Sequence, residues 1–419
     1  MRTLAEWLAF IERQHPRSIA LGLERVAAVW RRMRVELASP VITVGGTNGK
    51  GSCCALLEAM LRAGGYKTGL YTSPHLERYN ERVRIAGVEA SDDALCASFD
   101  VVEAARADMP LTYFEYGTLA ALWLFAREGI EAAVLEVGLG GRLDAVNIVD
   151  ADCAVLTSVA IDHVDYLGPD RESIGREKAG IFRAGRPVVI GEPHPPASVV
   201  AAPGVHHMLG RDFGYTDETS QWTYWGPAGK RAGLAHPALR GAMQLRNAAA
   251  AMCALDCLRE KLPLEMQAVR RGLAEVTLPA RFQVLPGRPQ VILDVAHNPE
   301  AAKVLADNLL ASGYAPETIA VCGMLRDKDI AGVLAAFQGK HRPLITRWHL
   351  ATLSGPRGAA ADQLARHVQG EVERYATPAQ AFAAALKRAH ENDKIVVFGS
   401  FLTVGEVLGW LKNNKTSKR

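Results

Sequence analysis

Short apolar, β-branched runs alternate with helical periodicity along most of the chain. Residues 41–44 (Val-Ile-Thr-Val) predict a buried strand, followed by a Gly-rich turn and a helix from 52 to about 63 that ends at Gly64 and Gly65. The strand pattern recurs at 67–71, 131–136, 154–158 and 187–190. Strands apolar on both faces and separated by helices predict a mostly parallel sheet covered on both sides. Residues 191–240 break this rhythm: Pro, Gly, His and aromatic residues alternate there, and Gln221-Trp222-Thr223-Tyr224-Trp225 suggests a small antiparallel appendage. An Ala-rich helix over 246–258 restores the regular pattern. Leu285-Pro286-Gly287-Arg288-Pro289 reads as an inter-domain hinge, and five further strands follow at about 290–295, 318–323, 344–350, 372–375 and 394–398. The expected division is 1–285, an α/β domain with a parallel sheet and an antiparallel appendage, and 286–419, a smaller Rossmann-like α/β domain.

Size and composition agree with this pattern. At 419 residues the chain exceeds what one core usually serves. Hydrophobic residues at 49% and charged residues at 22% supply an ordinary core and surface. The net charge of +3 is small, and only the tail 412–419 is locally basic, which fits a solvated end better than a nucleic-acid grip. The seven cysteines are odd in number and contain no Cys-x-x-Cys, so a reduced compartment is expected. Cys253 and Cys257 lie one helical turn apart in the Ala-rich helix, where core packing is the expected use. With no signal-peptide core at the N-terminus and no run of membrane-spanning length, the cytoplasm is expected, with no membrane partner.

The sharpest chemical signal is Gly46-Thr47-Asn48-Gly49-Lys50-Gly51-Ser52, between the first strand and its helix. Glycines let backbone N–H groups turn toward phosphate oxygens, the lysine adds a point charge, and the helix N-terminus adds its dipole. A hydroxyl at the helix start suits Mg²⁺. The common phosphate-loop pattern wants Gly at 44 and Ser or Thr at 51, where this chain has Val44 and Gly51. A plain strand-to-helix turn also needs glycine but leaves Lys50 unexplained.

Other candidates are weaker alone. Glu136 ends an apolar strand beside a Gly-rich turn, where open α/β sheets place ligands, and offers the hard oxygen Mg²⁺ prefers; a solvated loop glutamate is the alternative. Ser73 follows the next strand, although Ser-Pro is more often a turn. His163 is a softer ligand than Mg²⁺ usually takes and reads equally as a structural histidine. Lys178, on its own, reads as a surface lysine.

Gly-Thr-Asn-Gly-Lys-Gly resembles the loop of Mur-type ligases. The whole set of motifs resembles bifunctional dihydrofolate synthase/folylpolyglutamate synthases over nearly the full length. The set comprises Leu21-Gly22-Leu23-Glu24-Arg25, the loop, Tyr71-Thr72-Ser73-Pro74-His75, residues 112–118, 136–147, Asp162-His163, 173–180, 279–282, Asp294-Val295-Ala296-His297-Asn298-Pro299 and 354–357. The resemblance implies an ATP-dependent ligase that forms an amide through an acyl phosphate, joining L-glutamate to dihydropteroate and further glutamates to reduced folates. It implies a Mur-ligase-like P-loop ATPase domain and a place in folate and one-carbon metabolism. Residues Thr47 to Lys50 would bind ATP, with Asn247, Arg281 and Asp294 also contacting the nucleotide. Two Mg²⁺ ions are implied, one held by Ser73 and Glu136, the other by His163 and a carbamylated Lys178. The hinge would let the second domain close over ATP. The pterin would meet Leu21, Gly22, Leu23 and Glu24, then Thr112, Tyr113, Phe114 and Glu115, then Leu143, Asp144 and Ala145. Phe114 offers a flat face, and Glu115 is the expected acceptor for pterin N–H groups.

Position 20 holds Ala where bifunctional members often have Asp, so a folylpolyglutamate synthase alone is the second reading. A Mur-type cell-wall ligase would leave the folate-like stretches unexplained, and a nucleotide-gated binding protein would use the loop alone. His297, beside Asp294 after a strand, is expected near the glutamate as base or orienting group; capping the helix that starts at Pro299 is the alternative. A monomer is expected.

Overall fold

A computed structural model describes residues 2–15, 19–338 and 343–416, so positions 417–419 of the basic tail lie outside the described residues. It forms two compact units. The first is Met1–Ala238 with Gln244–Thr277, and the second is Leu239–Met243 with Leu278–Arg419.

In the first unit, helices α1 (Leu4–Glu12) and α2 (Glu24–Met33) precede β1 (Val41–Gly45), whose five residues are all buried. Helix α3 (Lys50–Ala63) leads to β2 (Thr68–Tyr71), then to the hairpin of β3 (Val83–Ile85) and β4 (Val88–Glu89). Helices α4 (Asp92–Arg106) and α5 (Tyr113–Glu128) are followed by β5 (Ala132–Glu136) and β6 (Cys153–Leu156). The short α6 (Val164–Leu167), α7 (Arg171–Ala179), β7 (Pro187–Ile190), the short α8 (Ala197–Val200) and β8 (Val205–Met208) complete the main sheet. Its order is β4-β3-β2-β5-β1-β6-β7-β8, parallel from β2 to β8 with an antiparallel edge at β3 and β4. β1 lies between β5 and β6, so the loop after it opens at the carboxyl ends of the central strands.

The expected appendage is the three-stranded antiparallel sheet of β9 (Gly214–Asp217), β10 (Trp222–Gly226) and β11 (Gly229–Leu234). It is smaller than the aperiodic stretch suggested, because β8 joins the main sheet in parallel with β7. Helices α9 (Met243–Cys257) and α10 (Met266–Glu275) follow.

The second unit has a six-stranded sheet ordered β12-β13-β17-β14-β15-β16. Its strands are β12 (Gln283–Leu285), β13 (Gln290–Leu293), β14 (Thr318–Cys322), β15 (Arg347–Ala351), β16 (Glu371–Tyr375) and β17 (Lys394–Phe398). All are parallel except β12. The intervening helices are α11 (Pro299–Ala311), α12 (Ile330–Ala335), α13 (Ala361–Ala365) and α14 (Pro378–Arg388), and α15 (Phe401–Thr416) ends the chain. The five expected strands are all present, with bounds shifted by up to three residues. The stretch 285–289 is the turn of the β12–β13 hairpin inside this unit, not a hinge. Three antiparallel residues before the turn carry too little alternation to be read as a strand.

Helix α3, which carries the glycine-rich loop at its start, is seated on α10 at closest approach through Gly272. A Cβ there would lie 2.5 Å from Met60 Cα, so only glycine lets the two helices meet this closely. Gly272→Ala should therefore destabilise the first unit by about 1–3 kcal/mol, as overpacking does. Thermal denaturation checks this, and an unchanged Tm would contradict the close seating.

Candidate active site

The loop after β1 is braced by the loop after β6. The Thr47 N–H donates to the Ser158 carbonyl (2.9 Å), and the Asn48 N–H donates to Ser158 Oγ (2.9 Å). The Ala160 N–H donates to Thr47 Oγ1 (3.0 Å), while Thr157 Oγ1 donates to the Asn48 carbonyl (2.6 Å). Gly46 adopts φ +146°, and a Cβ there would strike Thr157 Oγ1 at 2.0 Å. Gly49, the N-cap of α3, has φ +87° and lies where a Cβ would be 2.7 Å from Asn247 Oδ1. Asn247 is fixed in turn by donating from Nδ2 to Gln244 Oε1 (3.1 Å). Lys50 folds back so that Nζ donates to the carbonyls of Gly46 (3.1 Å) and Thr47 (3.2 Å). Gly51 and Ser52 are buried in the first turn of α3, where N–H groups have no intrahelical acceptor.

Glu136 is buried at the carboxyl end of β5, and the Ser73 N–H donates to its Oε2 (3.1 Å). The structure thus brings these two expected partners together. His163 precedes α6 in the left-handed region at φ +53°. A non-glycine residue there stores on the order of 1 kcal/mol, and such strain clusters at working sites. Its N–H donates to Asp162 Oδ1 (2.8 Å).

Lys178 on α7 is 4% exposed and is not the surface lysine its local sequence suggests. Burial first, and then the charge of Lys50, pull its pKa down to about 7, against Asp162 and Asp144. Lys50, Lys178, Asp162 and Asp144 therefore share one electrostatic neighbourhood. A hard divalent cation suits the oxygens of Glu136 and Ser73. It does not suit an ammonium, but it does suit the carbamate that a neutral, buried amine can form. With that conversion the donor set fits.

Among the residues expected against a pterin, Glu115 and Asp144 also carry local hydrogen bonds. Thr112 and Glu115 form a capping box on α5: the Thr112 N–H donates to Glu115 Oε2 (2.8 Å) and the Glu115 N–H to Thr112 Oγ1 (3.2 Å). Glu115 Oε1 accepts from Arg25 Nη2 (2.9 Å), whose other acceptor is the Ala20 carbonyl (2.8 Å). Glu115 thus holds the start of α5 through Oε2 and Arg25, next to the Leu21 to Glu24 stretch, through Oε1, and each carboxylate oxygen keeps a further lone pair. Asp144 is likewise locked. It accepts from the N–H groups of Leu139 (2.8 Å) and Val146 (3.1 Å), and burial pushes it up to about 7 against those bonds. Gly22 has φ +139°, and its N–H reaches the Leu143 carbonyl (3.4 Å), which joins the Leu21 to Glu24 stretch to Leu143 and the buried Ala145. Leu23 caps α2 and Glu24 opens it. Phe114 lies over Gly138, where a Cβ would be 2.6 Å from its ring, and 5.8 Å from the Tyr71 ring centroid. Tyr113 packs edge-on against Tyr79, and Arg82 stacks over both rings while donating from Nε to His75 Nδ1 (2.8 Å). Burial, then the Arg82 charge, drive His75 down to about 4, so it stays neutral.

Asp294, in the second unit, follows β13 and accepts the N–H groups of Phe282 and Ala296, each at 2.8 Å. Burial raises its pKa despite Arg281. The loop carrying Arg281 is held by this carboxylate between Ala280 (φ +61°) and Phe282 (φ +44°), both left-handed. Arg281 stacks over Phe401 (5.3 Å). His297 does not cap α11; Asn298 does, through Oδ1 to the Ala301 N–H (2.9 Å). His297 Nδ1 lies 2.8 Å from the Val295 carbonyl, an acceptor, so Nδ1 carries a proton there.

Thr157 and Ser158 were not expected at the site. Their signal was available, because they follow the carboxyl end of the strand beside β1 in the sheet.

The chain matches two family profiles, "Mur ligase middle domain" over residues 44–191 and "Mur ligase, glutamate ligase domain" over 280–401. It is 47% identical over 410 residues to the dihydrofolate synthase/folylpolyglutamate synthase of Escherichia coli K12, spanning 97% of this chain and 94% of that one. The solved structure of E. coli FolC in complex with DHPP and ADP superposes with a TM-score of 0.94 at 46% identity, over 99% of both chains. A bifunctional folylpolyglutamate synthase/dihydrofolate synthase solved with Mn, AMPPNP and L-glutamate bound gives 0.90 at 44% identity over 98% of both. On this likeness across both units, the chain belongs to the dihydrofolate synthase/folylpolyglutamate synthase family of Mur ligases.

Proposed function

We propose that this protein is an ATP-dependent ligase that joins L-glutamate to dihydropteroate and adds further glutamates to reduced folates. The observation that carries the reading is the braced loop at Gly46–Gly51 with Lys50 beside the buried Lys178, within a chain alike end to end to that family. The substrate carboxylate attacks the γ-phosphorus of ATP, releasing ADP and giving an acyl phosphate. The amine of glutamate then attacks the acyl carbon, and phosphate leaves.

Residues Gly46 to Ser52 hold the phosphates, Lys50 screens their charge, and Asn247, Arg281 and Asp294 contact the nucleotide. Ser73 and Glu136 would hold one Mg²⁺, and His163 with carbamylated Lys178 a second; these ions would neutralise the transferring phosphoryl group. Leu21 to Glu24, Thr112 to Glu115 and Leu143 to Ala145 form the pterin surface, with the Arg25–Glu115 pair fastening it. Small molecules are the partners, and the working form is a monomer in the cytoplasm without nucleic acid or membrane. Among the described residues no helix is long and apolar enough to cross a membrane.

The purified protein with ATP and Mg²⁺ should release phosphate when given dihydropteroate and L-glutamate. Turnover with tetrahydrofolates alone would instead favour the folylpolyglutamate-only reading that Ala20 motivates, since position 20 offers only its carbonyl, to Arg25. Absence of turnover with both would overturn the proposal.

Carbamylation needs the neutral amine of Lys178. Because its pKa is lowered to about 7, that form dominates above pH 7 and falls about tenfold per unit below it. Activity should thus decline as pH drops through 7 and be partly restored by added bicarbonate. Native mass spectrometry should show one added CO₂, absent in Lys178→Met. A bicarbonate-insensitive profile would remove the role.

With His297 as the base for the glutamate amine, His297→Ala should lower kcat at saturating glutamate by about 100-fold or more, the usual scale of general-base catalysis. Unchanged kcat would leave His297 no part in deprotonating the amine.

A further inference from the structure

Away from the phosphate loop, one cluster of soft ligands is unused by the reaction. His207 stands on β8, at the edge of the main sheet. Cys253 and Cys257 stand one turn apart on α9. One ligand atom from each of these three residues lies within 4.8 Å of the other two. Among the described residues, this is the single group of three or more His, Cys, Asp or Glu side chains that meets so closely. Core packing, the use expected for the cysteine pair, describes Cys253, which is fully buried, but not the half-buried Cys257 and His207.

We propose that His207, Cys253 and Cys257 form a binding site for a soft divalent cation of the zinc class, holding the edge strand β8 to α9. Two thiolates and one imidazole are the ligand types Zn²⁺ selects, and three protein ligands leave a fourth position for water. Half-exposure of His207 and Cys257 gives the ion a path in. The i,i+4 spacing on an intact helix puts both sulfurs on one face, as paired ligands on zinc helices are. Bound Zn²⁺ takes the place of the two thiol protons, and with neutral His207 the site is uncharged.

The same spacing argues against a disulfide. Cβ atoms at i,i+4 on a helix are about 5–6 Å apart, whereas a disulfide needs about 3.5–4.5 Å. Closing that bond would unwind α9 where it carries the buried run Ala248 to Leu255. A metal bridges the gap without moving the backbone. The acids nearby are otherwise engaged: Asp256 accepts from Tyr224 Oη (2.7 Å) and pairs with Arg231, and Asp212 accepts from Met208 N–H and Arg211.

The test uses the full chain, stripped with a chelator under reducing conditions and titrated with Co²⁺. One equivalent should produce the thiolate-to-cobalt charge-transfer band and strong visible bands of tetrahedral coordination, both bleached by Zn²⁺. The Mg²⁺ positions of the active site offer no thiolate and cannot give that band. Cys257→Ser and His207→Gln, at half-exposed positions that spare the core, should weaken Zn²⁺ binding by more than about 100-fold, beyond the loss typical of an outer-shell partner. Zn²⁺ should also raise the Tm of the parent protein and not that of either variant. No charge-transfer band, a band unchanged in both variants, or a Cys253–Cys257 disulfide in the reduced-purified protein would overturn the site.

Discussion

The nucleotide chemistry depends on a clamp between two loops. A glycine-rich loop is conformationally permissive, and left alone it would spend much of its time in shapes useless for phosphate. Here Ser158 takes both the Thr47 and Asn48 N–H groups, and Thr157 takes the Asn48 carbonyl. These contacts come from the strand beside β1 in the sheet, so the pairing of β1 with β6 sets the loop's shape. The clamp also explains where glycine is required. Gly46 cannot carry a Cβ because Thr157 is there, and Gly49 cannot because Asn247 is there. What remains for a ligand is the first turn of α3, whose N–H groups precede the first intrahelical bond, from Cys53 to Gly49.

The clamp fixes the charge distribution as well. Lys50 is folded over the loop by two carbonyls, which brings it near enough to Lys178 for each charge to be felt. Two lysines in a largely buried place repel each other, and the site relieves this by keeping Lys178 near its neutral form. Asp162 and Asp144 oppose that shift, although burial lifts Asp144 itself to about 7 against the backbone N–H groups that stabilise its anion.

Much of this was legible in the sequence where chemistry and spacing coincide. The loop, Glu136 at a strand end with Ser73 beside it, and five of the six strands of the second unit follow from local pattern. Glu115 did not, although its signal was present. Thr112-x-x-Glu115 before an apolar run is the sequence form of a capping box, which assigns one carboxylate oxygen to the Thr112 N–H, whereas the pair with Arg25 is a tertiary contact. The Pro-Gly-Arg-Pro stretch misled because turn residues mark hairpins as readily as boundaries, and β12 is too short to show alternation. Lys178 was illegible for another reason: burial of a charged residue is a tertiary fact, and Gly175-Arg176-Glu177-Lys178 looks like any solvated helix.

Helix α9 shows why one element can serve several ends. Helices apolar all round are buried on every face, and α9 buries twelve of the thirteen residues from Gln244 to Asp256, with only Arg246 outside the core. Alanines at 248–251 let neighbours approach closely without a long side chain to displace them. Its first turns place Asn247 against Gly49, and its last place Asp256 under Tyr224 of the appended sheet and Cys257 beside His207. Ten residues separate Asn247 from Cys257, about 15 Å along the axis. A rigid rod of that length ties the position of the phosphate loop to the packing of the sheet's far edge. Whatever fastens β8 to α9 therefore also steadies Asn247, and through it the one glycine on which the start of α3 turns.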